Sequence, residues 1–397
     1  MNDYTLGGIQ MKKKLKDELN NIKNDLQEMS DYLYAHPELG DEEYESMKLL
    51  TDYLRKHQFE VEIGVKNRPT AFKAVYQGEK EGPTIAYLAE YDALPGVGHG
   101  CGHNLIGTMS VGAGITLSKL VHEVGGTVIV LGTPAEETNG AKVVMSKEGL
   151  FEDVDVAMMV HPSGESCKSG ESLAMDAVQF AYTGKTSHAA ASPEKGINAL
   201  DSVIQLFNGV NALREHVPSD VRMHGIISNG GEAANVVPGE AVAQFYLRAA
   251  ERTTLDEINT KVKAIAEAAA LMTGATVEIS NYELSYDNMV TNEKLSEVFT
   301  QNLEEHCSQP IQESKESTGS IDMGDVSHVV PAIHPYIGME NPGLIGHTQE
   351  FADTTITSVG HATLYKGALA LAGSGYDILT NASLLESIKK EFSNRKK

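Results

Sequence analysis

Apolar residues near the start of the chain recur with the period of a helix. Their spacings of four and three residues place them on one face of an amphipathic helix. Pro37 follows this pattern, and because proline cannot extend a helix, the helix is predicted to end before it. A second helix is predicted over 42–57. The apolar positions of the first helix are Leu15, Leu19, Ile22, Leu26, Met29 and Leu33.

Beyond residue 60 the pattern changes to short apolar runs rich in β-branched residues, which are typical of buried strands. One helix is predicted over 104–124, and another between the last two strands. Strands that alternate with helices favour a doubly wound α/β sheet. The predicted strands are 61–63, 71–76, 84–90, 127–131 and 154–160.

A different order of elements begins near Leu173. Strand, helix, two strands, helix and strand follow one another, which is the order of the ferredoxin-like split-βαβ sandwich. We therefore predict an inserted α+β domain over 173–286. The segments 11–172 and 287–397 are predicted to form one domain with a doubly wound mixed sheet. The elements of the insertion are predicted at 173–182, 197–216, 223–228, 241–248, 254–272 and 275–280.

Length, charge and cysteine content limit the number of domains and the kinds of partner that the chain is expected to have. A chain of 397 residues is expected to form two domains. It carries 55 acidic against 32 basic residues, a net charge of −23, which argues against nucleic acid or an anionic membrane as partner. Three cysteines predict no disulfide framework, and no apolar run reaches the length of about 18 residues that suggests a membrane span. With a polar N-terminal stretch, a cytoplasmic protein is expected.

Candidate metal ligands follow three of the predicted strands. Cys101 and His103 lie in the loop after strand 84–90, the pair Glu136-Glu137 follows strand 127–131, and His161 ends the run 154–160. Ligands in open α/β sheets bind beyond the carboxyl ends of the strands. Thiolate, imidazole and carboxylate groups together suit zinc or a similar metal. The pattern predicts the site of a metal-dependent hydrolase.

Each signal taken singly has an ordinary structural explanation. Cys101 could be a buried structural cysteine, Glu136-Glu137 a charged turn, and His161 a surface histidine. If the backbone at Glu136-Glu137 is extended, the two side chains point in opposite directions. One carboxylate is then expected to bind metal and the other to face substrate. Asp92 could orient a metal-binding histidine, and His347 is the least specific candidate by spacing.

Seven ordered blocks give the chain a resemblance to a known family. The chain resembles the aminoacylase/carboxypeptidase-G family of metal-dependent amidohydrolases, in particular its cysteine-containing branch of p-aminobenzoyl-glutamate, auxin-conjugate and dipeptidase-like hydrolases. The resemblance extends over about 35–355. The blocks are His36-Pro37-Glu38, the run Glu-Tyr-Asp-Ala-Leu-Pro at 90–95, the run Gly-His-Gly-Cys-Gly-His-Asn at 98–104, Pro134-Ala135-Glu136-Glu137, the set Gly184, Ser187-His188-Ala189, Pro193, Gly196 and Asn198-Ala199, Asn235-Val236-Val237-Pro238, and Gly319-Ser320-Ile321-Asp322.

The resemblance implies a role for each candidate. Glu136 would be the general base, and Asp92 would orient a ligand. The inserted domain would serve as lid and dimerisation domain, with His188 and Asn235 reaching substrate, and with His188 near the metal site of the partner. Many relatives carry a metal-binding histidine where this chain has Glu90, so occupancy of a second metal position depends on compensation by Cys101. The implied ligands of one or two divalent ions, zinc or manganese, are Cys101, His103, Glu137, His161 and His347.

The predicted function is hydrolysis of amide or peptide bonds in small substrates such as dipeptides, N-acyl amino acids and p-aminobenzoyl-glutamate-like conjugates. Two rivals are a cysteine hydrolase, with Cys101 as nucleophile and His103 as base, and a non-catalytic homologue of the same fold. A homodimer is expected, paired through the sheet of the inserted domain at its strand 241–248.

Overall fold

The computed structural model describes residues 3–307, 309–314 and 319–395. They divide into two compact units. The second unit comprises Ser172–Asn288 with 319–324, and the first comprises the other described residues. The prediction assigned 319–324 to the first domain. The backbone shows why this segment belongs to the second unit, because Leu173 N donates a hydrogen bond to Gly319 O at 2.9 Å.

The first unit begins with two helices and continues into a mixed sheet. Strands β3, β4, β5 and β11 run parallel, whereas β1 and β2 are antiparallel additions, and the order is β1-β2-β4-β3-β5-β11. Up to residue 163 the elements are α1 (Asp3–Ala35), α2 (Tyr44–Lys56), β1 (Glu60–Ile63), β2 (Phe72–Gln77), β3 (Thr84–Ala89), α3 (His103–Val124), β4 (Thr127–Gly132), α4 (Ala141–Lys147), β5 (Val156–Met158) and β6 (His161–Ser163).

The second unit has a four-stranded antiparallel sheet with the order β10-β7-β9-β8. Helices α5 and α6 pack on this sheet around a core that includes Phe180, Phe245 and Leu206. Because β9 is an inner strand, the prediction that 241–248 supplies an edge for dimer pairing is wrong. The edge strands are β8 and β10. The elements are β7 (Ala174–Thr183), α5 (Ala199–Leu213), β8 (Arg222–Asn229), β9 (Glu240–Ala249), α6 (Arg252–Thr273) and β10 (Thr276–Asn281).

The C-terminal part of the chain completes the first unit. Strand β11 extends the mixed sheet beside β5, and the long helix α10 packs on α3 and α1. No helix in the described part of the chain is both long and apolar enough to cross a membrane. The remaining elements are α7 (Glu293–Glu304), α8 (Met323–Ser327), β11 (Ala332–Ile333), β12 (Tyr336–Gly338), α9 (Gln349–Thr355), α10 (Ser358–Thr380) and α11 (Ala382–Arg395).

Only 156–158 of the predicted strand 154–160 forms a strand of the large sheet in the structure. Strand β5 ends at Met158, and His161 begins β6, which pairs in parallel with β12 in a separate small sheet. The backbone leaves the large sheet because His161 N donates to Pro335 O at 3.0 Å. His161 therefore lies beyond the sheet edge, although not at the end of the strand that was predicted.

Candidate active site

The carboxyl ends of the parallel strands bring the predicted ligands of the first unit together. Glu90 directly follows β3, Glu136 and Glu137 follow β4, and His161 lies beyond β5. Helix α3 packs under this edge closely enough that a Cβ on Gly107 would lie 2.8 Å from Glu90 O. The strand ends and the first residue of α3, His103, therefore meet in one place.

A left-handed glycine makes the Cys101–His103 loop possible. Gly102 has φ 79°, a backbone conformation that residues with a Cβ avoid. A Cβ at this position would also lie 2.5 Å from Pro162 Cγ. Cys101 Sγ lies 3.4 Å from His161 Nε2 and 3.5 Å from His347 Nε2. The loop thus directs the thiol toward two imidazole rings that come from distant parts of the chain.

Six side chains form three overlapping groups whose ligand atoms lie within 4.8 Å of one another. His103 Nε2 lies 3.9 Å from Glu137 Oε1 and 4.0 Å from Glu136 Oε2, and His347 Nε2 lies 3.6 Å from Glu137 Oε1. All five predicted ligands are therefore brought together, with Glu136 beside them. The groups are Cys101, His103 and His161; Cys101, Glu137 and His347; and His103, Glu136 and Glu137.

Hydrogen bonds on the outer side of the site direct the ligand atoms inward. His103 Nδ1 contacts both Asp92 Oδ1 and Asp92 O at 3.0 Å, and His161 Nδ1 donates to Pro162 O at 2.7 Å. The Nε2 atoms of both rings therefore face the cluster. A carboxylate on the outer ring nitrogen is the arrangement that orients metal-binding histidines in proteins, and Asp92 occupies that position on His103.

The buried atoms of the cluster fit a divalent cation. Among the described residues, His103 Nε2 and Glu137 Oε1 have no hydrogen-bond partner although they are buried, which is costly for a polar atom that nothing compensates. A cation would satisfy both atoms. Thiolate, imidazole and carboxylate are also the ligands that zinc and similar metals take.

Protonation equilibria of the cluster agree with this fit. Burial, reinforced by the positive charge of His334 and His103, lowers the pKa of His161 to about 3, so its ring is neutral at neutral pH. A neutral imidazole is the form that binds metal. Burial opposes a charge on His103, but Asp92 outweighs burial and raises the pKa of His103 well above its ordinary value. Without a cation, a proton takes the inward Nε2 position.

The two adjacent glutamates lie in a turn and not in extended backbone. Ala135, just before them, has φ 60°, and Glu136 and Glu137 form the turn that follows. The premise that their side chains point in opposite directions is therefore wrong, because both carboxylates approach His103 Nε2. Glu136 keeps 14% of its side chain exposed and Glu137 10%, so both remain within reach of a small substrate.

Glu90 forms an ion pair with a lysine that the sequence analysis did not predict. Lys142 Nζ lies 2.7 Å from Glu90 Oε1, and both side chains are buried. Burial works against a charged Glu90, but Lys142 outweighs it and lowers the pKa of the carboxyl group. Glu90 Oε2 lies 3.5 Å from His103 Nε2. This chain has Glu90 at the position where many relatives were expected to have a histidine, and Glu90 forms a buried ion pair with Lys142.

His334 is a second residue that the sequence reading missed. It directly follows β11, is buried, and its ring centroid lies 5.5 Å from that of His161. Burial lowers the pKa of His334 to about 4. A signal was present, because the residue ends a short apolar run in the same way as the predicted ligands. Lys142 gave no such signal, since lysine is almost always exposed.

His188 and Asn235 belong to the second unit and lie beside each other there. Ala189 N donates to Asn235 O at 3.0 Å, and both predicted substrate-binding residues are exposed. His188 Nδ1 accepts hydrogen bonds from Ala190 N and Ala191 N at 3.2 and 3.1 Å. The neutral ring therefore carries its proton on Nε2, where it can donate to a ligand.

Comparison with known proteins decides the family. Residues 78–370 match the family model described as Peptidase family M20/M25/M40. The chain belongs to this family. It is 34% identical to a Xaa-Arg dipeptidase of Mus musculus over 96% of this chain and 92% of the relative, and 30% identical to one of the subunits of p-aminobenzoyl-glutamate hydrolase of Escherichia coli K12 over 92% and 91%. The resemblance seen in the sequence blocks is thereby confirmed.

Solved structures share the fold. An aminobenzoyl-glutamate utilization protein from Klebsiella pneumoniae superposes with a TM-score of 0.71 at 19% identity, covering 89% of this chain and 98% of the other. A dinuclear metal binding peptidase from Bacillus subtilis gives 0.63 at 20% identity, covering 89% and 98%. As a member of the family, the chain is a metal-dependent hydrolase that acts on C–N bonds of the amide and peptide kind.

Replacing the buried lysine of this M20 chain is expected to destabilise it strongly. Lys142→Met leaves the Glu90 carboxylate buried without its partner, and breaking a buried pair in this way costs about 3–5 kcal/mol. Urea unfolding measures the loss. Lys48→Met is the control, because Lys48 is exposed on helix α2. Glu90→Gln combined with Lys142→Met should recover most of the loss, and an unfolding free energy of Lys142→Met equal to that of Lys48→Met would contradict the expectation.

Proposed function

We propose that this chain hydrolyses dipeptides and related N-acyl amino acids, with Glu136 as general base. Cys101, His103, Glu137, His161 and His347 would hold one or two divalent cations. The observation that carries the proposal is the convergence of one thiol, three imidazoles and two carboxylates, from separate segments, at the carboxyl edge of the sheet. Because Cys101 belongs to two of the ligand groups, two neighbouring ions could share it. Zinc suits the thiol and imidazoles, and manganese suits the carboxylates.

In the proposed mechanism, the Glu136 carboxylate carries out the proton transfers. A divalent cation, when bound, supplies Lewis-acid chemistry, because it lowers the pKa of water and polarises an amide carbonyl. Glu136 Oε2 takes a proton from the attacking water and later gives it to the leaving amine, acting as base and then as acid. Asp92 holds His103 so that its Nε2 stays turned toward the cluster.

The second unit supports a role in substrate binding and pairing. The Nε2–H of His188 is available to donate to the substrate carbonyl as negative charge develops on its oxygen, and Asn235 lies next to it. The topology β-α-β-β-α-β is that of a split-βαβ sandwich, for which we propose the function of lid and dimerisation domain. Its edge strand β8 exposes Ile226 and Ile227, at 62% and 44%, and an apolar open edge of this kind favours pairing with a second copy.

The cysteine-hydrolase rival conflicts with the chemistry at Cys101. A nucleophilic cysteine needs a thiolate near neutral pH. Burial, reinforced by the negative charges of Glu137 and Glu136, raises the pKa of the Cys101 thiol to about 12. The same surroundings favour a thiolate only when a cation is next to the sulfur, which is the arrangement of a metal ligand.

A substrate panel with and without chelator tests the proposed function. Xaa-Arg dipeptides come first, because one relative bears that name and this chain carries a net charge of −23. N-acyl amino acids and p-aminobenzoyl-glutamate complete the panel. We expect hydrolysis that a chelator abolishes and that added zinc or manganese restores, with one to two ions per chain by elemental analysis. Full activity in metal-free protein would refute the proposal, and no hydrolysis across the panel by metal-loaded protein would favour a non-catalytic homologue.

A further inference from the structure

We propose that Glu43, the residue just before α2, is a positioning residue for Glu136: its carboxylate holds the turn that directs the base into the site. The proposal rests on the function proposed for Glu136. Glu43 lies far from the ligand blocks in sequence, and its two side-chain hydrogen bonds go to Ala135 N and Thr70 Oγ1. Its role would be exerted through the backbone of Ala135, which immediately precedes the base.

Two hydrogen bonds fix the buried Glu43 side chain. Its Oε1 accepts from Ala135 N at 2.9 Å, across 92 positions of sequence, and its Oε2 accepts from Thr70 Oγ1 at 2.9 Å. Ala135 is itself buried and has φ 60°. A left-handed backbone is unfavourable for a residue with a Cβ, so such a turn persists only where its surroundings enforce it. Glu43 supplies that enforcement at the strained residue.

A second carboxylate holds the other side of the base. Glu137 N donates to Asp92 Oδ2 at 3.0 Å. The N–H groups that flank Glu136 are therefore each held by a buried carboxylate, Glu43 before it and Asp92 after it. With both neighbours held, the backbone at Glu136 has little freedom to rotate, which is the preorganisation that a general base needs.

The start of α2 is built so that Glu43 is available for this contact. Glu43 occupies the N-cap position, where a side chain ordinarily accepts a bond from the first turn of the helix, yet it makes no such bond. Glu38 does so instead, because its oxygens accept from Glu45 N at 3.0 Å and Ser46 N at 2.7 Å. The carboxylate of Glu43 is thus released from capping and directed to Ala135.

The segment before Glu43 also packs directly on the turn. A Cβ on Gly40 would lie 2.5 Å from Thr138 Oγ1 and 3.0 Å from Ala135. Burial, and then the nearby charge of Asp92, raises the pKa of Glu43 to about 7. The Glu43 carboxyl group is therefore kept at this position although burial and the charge of Asp92 disfavour its ionised form. Its hydrogen bond with Ala135 is the contact that explains why it is there.

The test compares Glu43→Ala with Glu42→Ala, because Glu42 is the adjacent, exposed carboxylate. We expect Glu43→Ala to lower kcat by about 100-fold, the size of effect that a misplaced catalytic group produces. KM and the bound metal should stay nearly unchanged, because Asp92 still holds the backbone of Glu137 at 3.0 Å. Glu43→Gln keeps an acceptor for Ala135 N and should retain most of the activity. Equal kcat for Glu43→Ala and Glu42→Ala would overturn the proposal.

A rescue experiment separates positioning from a general loss of stability. Glycine adopts the left-handed conformation without strain, so Glu43→Ala combined with Ala135→Gly should regain a large part of the lost kcat. A residue that only stabilised the fold would gain nothing in kcat from this glycine, and that outcome would overturn the proposal. If Glu43→Ala does not fold, Thr70→Val removes the other bond of Glu43 at almost constant volume, and a smaller fall in kcat at constant KM is expected.

Hydrogen exchange tests the contact between Glu43 and Ala135 without an activity assay. Backbone amides of the peptide 133–138 should exchange faster in Glu43→Ala than in Glu42→Ala or the parent chain. This result does not depend on the role of Glu136. If Glu136→Gln kept full activity while exchange at 133–138 still responded to Glu43→Ala, the proposed function would fail and the structural contact would stand. Unchanged exchange would overturn the positioning role itself.

Discussion

Glu136→Gln is expected to lower kcat by about 10²–10⁴-fold, the contribution typical of a general acid–base residue, while bound metal stays in place. The amide keeps the size of the side chain but cannot take a proton. The Glu136 side chain is slightly more exposed than that of Glu137, at 14% against 10%, as expected of the group that reaches water and substrate. Turnover assays with elemental analysis of the same preparation measure both quantities.

Glu137→Gln is the matched comparison and should behave differently. Glu137 Oε1 is buried, lacks a hydrogen-bond partner among the described residues, and lies 3.6 Å from His347 Nε2. We expect metal affinity to fall by at least the roughly 10–100-fold that loss of an outer partner of a ligand costs. Added metal should restore part of the activity of this variant but none of that of Glu136→Gln. Equal metal loss in both variants would show that the two roles are wrongly divided.

His188→Ala is expected to lower kcat by about 10²–10³-fold, because it removes a donor to the developing oxyanion. The resemblance further implies that His188 serves the site of a partner chain. Mixed dimers of His188→Ala with Glu136→Gln would then contain one intact site, built from the Glu136 of one chain and the His188 of the other.

Subunit exchange measures this complementation. Random mixing makes half of the dimers mixed, and one of two sites works in each, so about a quarter of the parent activity should return. Mass spectrometry confirms that mixed dimers formed. If they form and no activity returns, His188 acts within its own chain or has no catalytic role. The control is His188→Ala alone, taken through the same subunit-exchange treatment.

The candidate ligands could be predicted from sequence because their signals are local. Cys101 and His103 lie in one short glycine-rich loop, and Glu136-Glu137 and His161 follow apolar runs. Such runs form buried strands, and the carboxyl ends of parallel strands lie at a common edge of the sheet. His347 had no such local signal, and only the resemblance implied it; the structure brings it to 3.5 Å from Cys101 Sγ.

The geometry around those ligands depended on contacts between distant segments. Ala135 has no local sequence reason to be left-handed, and its N–H donates to Glu43 Oε1 from 92 positions away. Lys142 is buried because Glu90 is there to receive it, which no helical pattern shows. The early end of β5 and the start of a new strand at His161 likewise involve a distant segment, because His161 N donates to Pro335 O. The inner position of β9 follows from its pairing with β7 and β8.

The sequence by itself determined the alternation of elements, the insertion, the family and the candidate metal ligands, because periodicity, spacing and residue chemistry are properties of neighbouring positions. Only the tertiary structure decided how the carboxylates divide the space around His103, which buried charges are balanced, and which hydrogen bonds hold the backbone on either side of Glu136. Those features depend on hydrogen bonds and ion pairs between segments far apart in the chain. Such bonds are strong when buried, but they leave no repeating pattern in the sequence.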